Sequence, residues 1–157
     1  MKRWTVVDTN VVVSGVLGAG AGTPPRRILE AMLRGRVRFL VSESLVFEYR
    51  RVLLLPWIVR RHGLAEGSVD ELLGALLENA AVRKPGEGGA AAAAAQEDQP
   101  APTVPGDEHI IALLGVESNS LLVTGDRLLA DAVGNWREVL SPAGFAATLG
   151  GLPPGHE

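Results

Sequence analysis

The sequence predicts an α/β fold in which a parallel β-sheet is covered by helices on both faces. Short apolar runs typical of buried strands recur along the chain, and amphipathic helical patterns lie between them. No apolar run reaches the roughly 18 residues that a membrane-spanning helix needs. The chain has 157 residues, of which 46% are hydrophobic and only 4% aromatic. These values predict one globular domain with an aliphatic core.

The N-terminal segment is predicted to form a strand, a turn and a helix. Residues 2–7 are rich in β-branched side chains, and Asp8-Thr9-Asn10 is predicted to be the turn after the strand. Beyond a glycine-rich loop, Thr23 is positioned to cap a helix that begins with two prolines and ends near Gly35. Residues 37–41 then predict a second strand.

The middle of the chain is predicted to be mainly helical. Ser42 is positioned to cap a helix whose apolar face includes residues 45–53, and a shorter helix is expected within residues 56–63. Ser68-Val69-Asp70-Glu71 has the form of a capping box and predicts the start of another helix. Val82 is predicted to belong to a short third strand.

Residues 85–106 interrupt this alternation. The segment contains six consecutive alanines together with several glycines and prolines, and it has no repeated apolar stripe. It is therefore predicted to be a mobile surface insertion in a single domain that spans residues 1–149. Residues 150–157 are predicted to form a C-terminal tail.

The C-terminal part returns to alternating helices and strands. A helix is predicted to begin at Asp107, and residues 121–124 predict a buried strand that is followed by another helix. Residues 137–140 predict the last strand, and Pro142 begins a final helix.

Charge and cysteine content narrow the classes of function. The net charge is −3, but residues 1–84 hold 13 Lys and Arg against 8 Asp and Glu, whereas residues 85–157 hold 2 against 10. A basic surface beside an acidic one suits a polyanion next to a cation site, although an unevenly charged solvated surface is an equal alternative. The absence of cysteine excludes disulfides and thiolate metal sites. With no signal-peptide pattern at the start, the sequence predicts a cytoplasmic location and no membrane partner.

Three separated acidic residues are candidates for chemistry. Asp8 and Asp126 each follow a predicted strand, so their carboxylates are expected at the edge of the sheet where ligands bind. Either one alone is also a common turn or N-cap residue. Glu48 falls within the apolar face of its helix, where a buried carboxylate needs a partner. A surface ion pair with Arg51 is the alternative for Glu48.

Asp107 and Glu108 form the remaining acidic pair. They open the helix that precedes the strand leading to Asp126, and a favourable interaction with the helix dipole is their alternative role. Converging carboxylates repel one another unless protons or a cation neutralise them. Without cysteine, an all-oxygen site favours Mg²⁺ or Mn²⁺ over zinc or copper. His109 is predicted to be a surface residue rather than a metal ligand.

Four stretches of the sequence together resemble the PIN-domain ribonucleases, in particular the VapC-type toxins. The stretches are residues 6–14, 42–48, 107–112 and 122–126. The resemblance implies a three-layer fold with about five parallel strands. It further implies RNA as the substrate, a small antitoxin protein as partner and a homodimer.

The resemblance also implies a set of site residues. The acids that would bind Mg²⁺ or Mn²⁺ are Asp8, Glu48, one of Asp107 and Glu108, and Asp126. The family's spacing selects Glu108 as the third acid, whereas residue type favours Asp107. Many relatives carry a further acid where this chain has Leu128, so the number of metal ions is left open. The residues that would orient ligands or water are Thr9, Asn10, Ser14 and Thr124.

The function predicted from these features is metal-dependent hydrolysis of RNA by direct attack of water, which leaves a 5′-phosphate and a 3′-hydroxyl. Candidate contacts to the RNA backbone are Arg50, Arg51, Arg60 and Arg61. One alternative is a non-catalytic PIN-like module that binds RNA or protein. A less favoured alternative is an aspartate-dependent phosphatase. That chemistry usually requires a second acid two residues after the nucleophile, where this chain has Asn10.

Overall fold

The computed structural model describes residues 3–18, 22–86, 89–101 and 106–150. Within these ranges the chain forms one five-stranded sheet in which every neighbouring pair of strands is parallel. The strands are β1 (Trp4–Val7), β2 (Phe39–Val41), β3 (Ala80–Val82), β4 (Ser120–Val123) and β5 (Glu138–Leu140). Their order across the sheet is β3-β2-β1-β4-β5. The predicted parallel sheet of about five strands is confirmed.

Helices cover both faces of this sheet, so the fold has three layers. The helices in the described ranges are α1 (Thr9–Leu17), α2 (Pro24–Leu33), α3 (Glu43–Leu53), α4 (Pro56–His62), α5 (Glu66–Leu77), α6 (Gly89–Ala95), α7 (Glu108–Leu114), α8 (Arg127–Val133) and α9 (Pro142–Thr148). The core between the layers is mostly aliphatic, as the composition predicts, with Tyr49 and Phe39 as its largest fully buried side chains. None of the helices in these ranges is long and apolar enough to span a bilayer.

The order of the strands creates a point where the chain reverses its direction across the sheet. From β1 the chain continues to β2 and β3 on one side, and it later returns to place β4 and β5 on the other side. The carboxyl ends of β1 and β4 are therefore adjacent, and the backbone N–H of Asp8 donates to the carbonyl of Val123 at 3.0 Å. Open parallel sheets bind their ligands at such switch points.

Two local predictions were wrong. The residues predicted as a turn after β1 instead begin α1, with Asp8 as its N-cap. The β-branched run that follows has low intrinsic helix propensity, but burial of its valines against the core outweighs that preference. The predicted capping box at residues 68–71 lies inside α5, which begins at Glu66. Asp70 from that box accepts a hydrogen bond from Arg50 on α3 instead.

The segment at residues 85–106 is partly docked on the body of the domain. It contains α6, whose last residue Ala95 is buried and accepts a hydrogen bond from Arg137 Nη2 at 2.6 Å. The indole Nε1 of Trp136 donates to the carbonyl of Glu97 at 3.0 Å. Mobility of this segment stays a prediction, and parts of it, residues 87–88 and 102–105, lie outside the described ranges. The predicted tail also lies outside them, apart from its first residue.

Candidate active site

Asp8 lies at the carboxyl end of β1 and is the one charged residue that is buried in the described part of the chain. Its residue surface is 9% exposed. Oδ1 accepts a hydrogen bond from the backbone N–H of Thr9 at 2.9 Å, which caps α1. Oδ2 accepts a hydrogen bond from the hydroxyl of Thr124 at 2.7 Å. Both carboxylate oxygens are therefore held by the protein.

Thr124 connects the two acids that follow the central strands. It comes directly after β4 and is buried. While its hydroxyl donates to Asp8, the same oxygen accepts a hydrogen bond from the backbone N–H of Asp126 at 3.0 Å. Asp126 in turn caps α8, because its Oδ1 accepts from the N–H groups of Leu128 and Leu129 at 3.0 and 3.2 Å. The two acids are thus fixed relative to each other across the switch point.

Asp107 and Glu108 have different surroundings although they are neighbours. Asp107 occupies the N-cap position of α7, but its side chain makes no capping hydrogen bond. Its Oδ2 atom is inaccessible to solvent and has no hydrogen-bond partner among the described residues. Glu108 is exposed, and its Oε2 accepts from the backbone N–H of Gly106 at 2.9 Å. Of the two, Asp107 is the residue with an unused buried oxygen.

Electrostatic effects show that three of the acids share one region. Burial raises the pKa of Asp8 above 3.8, and the nearby charge of Asp126 raises it further, although hydrogen bonds from Thr124 and Thr9 act in the opposite direction. The pKa of Asp107 is also raised, first by burial and then by the charges of Asp126, Asp8 and Glu108. The charge of Asp126 therefore acts on both Asp8 and Asp107, and the charge of Asp8 acts on Asp107.

His109 also belongs to this region, and its predicted surface position is met only in part, while its exclusion as a metal ligand stays a prediction. The residue is only partly exposed, and its Nδ1 atom is buried without a hydrogen-bond partner among the described residues. Its electrostatic effect on Asp8 and on Asp107 is the smallest of those acting on these carboxyls and opposes the rise in their pKa. A lone histidine in a first helical turn carries no sequence signal for such a position, because its burial depends on how α7 packs against β1 and β4.

Glu48 lies in a surface ion pair with Arg51, which was the alternative to a position among the clustered acids. Its side chain is 30% exposed, and its Oε1 forms an ion pair with Arg51 Nη2 at 2.7 Å, three residues along α3. The adjacent Tyr49 points inwards and donates a hydrogen bond from its hydroxyl to the carbonyl of Val7 at 2.6 Å. That bond fixes α3 against the end of β1, one residue before Asp8. No described hydrogen bond joins Glu48 to the three clustered acids.

Two of the four predicted supporting residues contact the acids, and the other two do not. Thr124 has the bridging position described above, and Thr9 is buried and supplies the N–H that holds Asp8. Asn10 and Ser14 are exposed, and their side chains make no hydrogen bond with a described residue. Any role of Asn10 and Ser14 toward a ligand or water stays a prediction.

Carboxylate oxygens of the kind found here are suitable ligands for a hard divalent cation, although the side chains do not form a completed metal site. In the described part of the chain, no three Asp, Glu or His side chains are already arranged to hold a metal ion. Asp8 and Asp126 instead turn oxygens toward N–H and O–H donors of the protein. Mg²⁺ or Mn²⁺ would be bound by such carboxylate oxygens and would offset the repulsion between them. The ion would also give the buried Oδ2 of Asp107 a partner.

The four arginines predicted to contact RNA fall into two pairs. Arg50 is bonded to Asp70 at 2.7 Å and also to Glu66, and Arg51 is paired with Glu48. Arg60 and Arg61 lie exposed on α4, where their side chains have no hydrogen bond or ion pair with a described residue. Only the second pair has its guanidinium groups free of acidic partners within the described ranges.

Comparison with known proteins agrees with this geometry. The model of the PIN domain family matches residues 5–128, a range that contains all the acids discussed above. No match was found among curated proteins or among solved structures. PIN domains are usually nucleases and typically use divalent metal ions. Because the match covers most of its length and the sheet has the parallel order described above, this chain belongs to the PIN-domain family.

Proposed function

We propose that this protein is a metal-dependent endoribonuclease whose divalent ion, Mg²⁺ or Mn²⁺, is held mainly by Asp8, Asp107 and Asp126. The observation that carries the proposal is the hydrogen-bonded arrangement of Asp8, Thr124 and Asp126 at the switch point of the sheet, together with the electrostatic effect of Asp8 and Asp126 on Asp107. Burial and neighbouring negative charge disfavour the carboxylate forms of Asp8 and Asp107, and a bound divalent cation would offset that effect.

Each acid has a distinct part in the proposed site. Thr124 orients Asp8 and keeps Asp126 next to it, so one threonine sets the spacing of two ligands. Asp107 contributes the oxygen that has no other partner, which favours it over Glu108 as the third acid. A bound divalent ion would lower the pKa of a water molecule and offset negative charge on the phosphate during hydrolysis.

Glu48 is the fourth proposed ligand, and it requires a rearrangement. To reach the other acids, its carboxylate must leave Arg51, a surface ion pair worth only about 0.2–1 kcal/mol. That small cost is compatible with release when a divalent charge is near. The released Arg51 would then be available to a phosphate group.

Arg60 and Arg61 are the proposed contacts to the RNA backbone. Unpaired guanidinium groups bind phosphates without first breaking an ion pair, and they give affinity without sequence preference. Arg50 is not proposed for this role because Asp70 and Glu66 already neutralise it.

A toxin role, a small antitoxin and a homodimer are proposed on the resemblance to VapC-type proteins alone. The expected result is that overexpression slows growth and that the Asp8→Asn variant does not. A wild-type chain that leaves growth unaffected would remove the toxin role while leaving the nuclease intact.

A non-catalytic module is the second candidate, and the Glu48–Arg51 pair favours it because that pair leaves one proposed ligand outside the cluster. Calorimetry with Mn²⁺ separates the two candidates, since a module without a metal site gives no heat of binding. The phosphatase alternative is weakened because both Asp8 oxygens accept hydrogen bonds and Asn10 is exposed.

The test of the proposed function is Mn²⁺-dependent cleavage of single-stranded RNA by the wild type and by Asp8→Asn and Asp126→Asn variants. Loss of one metal-binding acid is expected to lower the rate by at least about 100-fold. Asp131→Asn is the matched control, because Asp131 is an exposed acid on α8, outside the proposed ligand set, and its variant should retain full activity. Undiminished cleavage by both site variants would refute the proposal.

A further inference from the structure

The exposed face of α4 combines one aromatic ring with two cations. Trp57 is 57% exposed, and the exposed residues Arg60 and Arg61 follow it three and four positions along the helix. A helix turns by about 100° per residue, so around the helix axis Trp57 lies between the two arginines, and residues at these spacings are neighbours. The opposite face carries Ile58, which is buried, and His62, which contacts the carbonyl of Leu53. Trp57, Arg60 and Arg61 form the α4 surface.

The ring of Trp57 differs from those of the other two tryptophans. The guanidinium carbon of Arg38 lies 4.1 Å from the ring centroid of Trp4, and that of Arg137 lies 3.9 Å from the ring centroid of Trp136. Among the described residues, no cation is stacked on the ring of Trp57. Its ring is therefore open to a planar group from another molecule.

Helix α3 carries the same sequence pattern in different surroundings. Phe47 is 66% exposed and is followed, also three and four positions later, by Arg50 and Arg51. Both of these arginines are paired with acidic side chains of α3 and α5. Helix α4 contains no acid, and the two arginines of the α4 surface have no ion pair with a described residue. The aromatic ring is therefore flanked by neutralised cations on α3 and by free cations on α4.

The α4 surface lies within reach of an RNA strand that occupies the acidic site. Helix α4 packs against α1, the helix that Asp8 caps. Since α1 has 9 residues and spans about 14 Å, and packed helices lie about 8–10 Å apart, the part of α4 that contacts α1 is within roughly 25 Å of Asp8. At about 3.4 Å per nucleotide, a strand of about seven nucleotides covers that distance.

We propose that the α4 surface binds single-stranded RNA, with a base stacked on Trp57 and phosphates next to Arg60 and Arg61. This inference rests on the proposed function for the identity of the partner, and it adds a preference for unpaired RNA. An unpaired base has an open ring face that stacks on an aromatic side chain, whereas the bases of a duplex are already stacked on one another. Two free cations beside the ring favour a polyanion over an apolar protein partner.

The test is binding of single-stranded oligouridylate, and of an RNA duplex of the same length, to the full-length protein in EDTA, which blocks the proposed cleavage. Trp57→Leu is expected to weaken binding of the single strand by about 5- to 150-fold and to leave binding of the duplex nearly unchanged. Because stacking neutralises no phosphate, this loss should be similar at low and high salt. Trp57→Phe keeps an aromatic ring and should retain most of the affinity.

Phe47→Leu is the matched control. Phe47 has a similar exposure and the same spacing to two arginines, but those arginines are paired with acids. Its replacement should leave RNA binding unchanged. A second readout uses the wild type itself, because oligouridylate should quench its tryptophan fluorescence. That quenching should be lost in Trp57→Phe, which retains Trp4 and Trp136.

The contrary outcomes separate this inference from the proposed function. Equal affinity of the wild type and Trp57→Leu for the single strand, an equal loss for the duplex, or no RNA binding in EDTA would refute the inference. Normal RNA binding by a Trp57→Leu variant that sediments as a smaller species than the wild type would show that the α4 surface joins protein chains instead. If Trp57→Leu weakens binding as expected but the wild type cleaves no RNA in Mn²⁺, the proposed function fails and the inference survives.

Discussion

Removing the charge of Asp107 is expected to stabilise the metal-free protein. The carboxylate is penalised at neutral pH because it is partly buried, close to other acids and without a partner for Oδ2. Asp107→Asn removes the charge that burial and the neighbouring acids disfavour. Relief of one unsatisfied buried group is worth about 1–3 kcal/mol, and the lower half of that range applies because Asp107 is partly exposed.

The expected gain of about 1–2 kcal/mol corresponds to a rise in Tm of about 2–8 °C for a chain of this size. The sign of the pH dependence follows from the raised pKa. Because the pKa of Asp107 is higher in the folded protein than in the unfolded chain, its carboxyl group destabilises the folded wild type only when it is ionised. This destabilisation is absent below the ordinary pKa of 3.8 and is complete once pH has risen through the folded-state pKa. The advantage of Asp107→Asn should therefore be present at pH 7 and absent near pH 3.

Thermal unfolding in EDTA and in Mn²⁺ measures this effect. In EDTA at pH 7 the variant should be the more stable protein. With Mn²⁺ at about 100 times its Kd, the wild type gains about 2.7 kcal/mol and should overtake the variant. Glu108→Gln is the control, because Glu108 is exposed and bonded to Gly106, and its change should stay within about 0.5 kcal/mol. An Asp107→Asn variant no more stable than wild type in EDTA would refute the electrostatic account of the cluster.

Three further changes test other parts of the structure. Tyr49→Phe removes the buried hydrogen bond to Val7, and urea denaturation should show a loss of about 1–2 kcal/mol, whereas an unchanged midpoint would contradict the bond. Replacing Arg60 and Arg61 together by Ala should reduce the slope of log K against log salt for single-stranded RNA by about 1.4, and an unchanged slope would exclude them as phosphate contacts. Arg137→Met should increase hydrogen exchange and proteolysis within residues 89–101, because it removes the bond to the end of α6; unaltered protection would mean that the segment is held by other contacts.

The sequence predicts the sheet well because the signals for buried strands are local. Apolar runs bounded by turn residues identify all five strands, with bounds that differ from the structure by one or two residues at most ends. The start of α1 was missed because its valines favour extended structure locally, and only their burial in the assembled core makes the helix stable.

The candidate site is predicted less completely, because it depends on where side chains point. The positions of Asp8 and Asp126 follow from the edge of a parallel sheet, which a sequence can indicate. The orientation of the Glu48 side chain cannot be predicted from the sequence, because its position on the helix allows it either to face the other acids or to pair with Arg51. The burial of His109 and the unpartnered oxygen of Asp107 are properties of packing around α7, which no local pattern encodes.

The most direct measurement of the central claim is a crystal structure of the Mn²⁺-soaked protein with anomalous difference density recorded near the manganese absorption edge. The account expects a peak bounded by carboxylate oxygens of Asp8, Asp107 and Asp126 at the carboxyl ends of β1 and β4. A well-occupied Mn²⁺ elsewhere with none between these acids, or a structure in which the three acids lie apart, would contradict it.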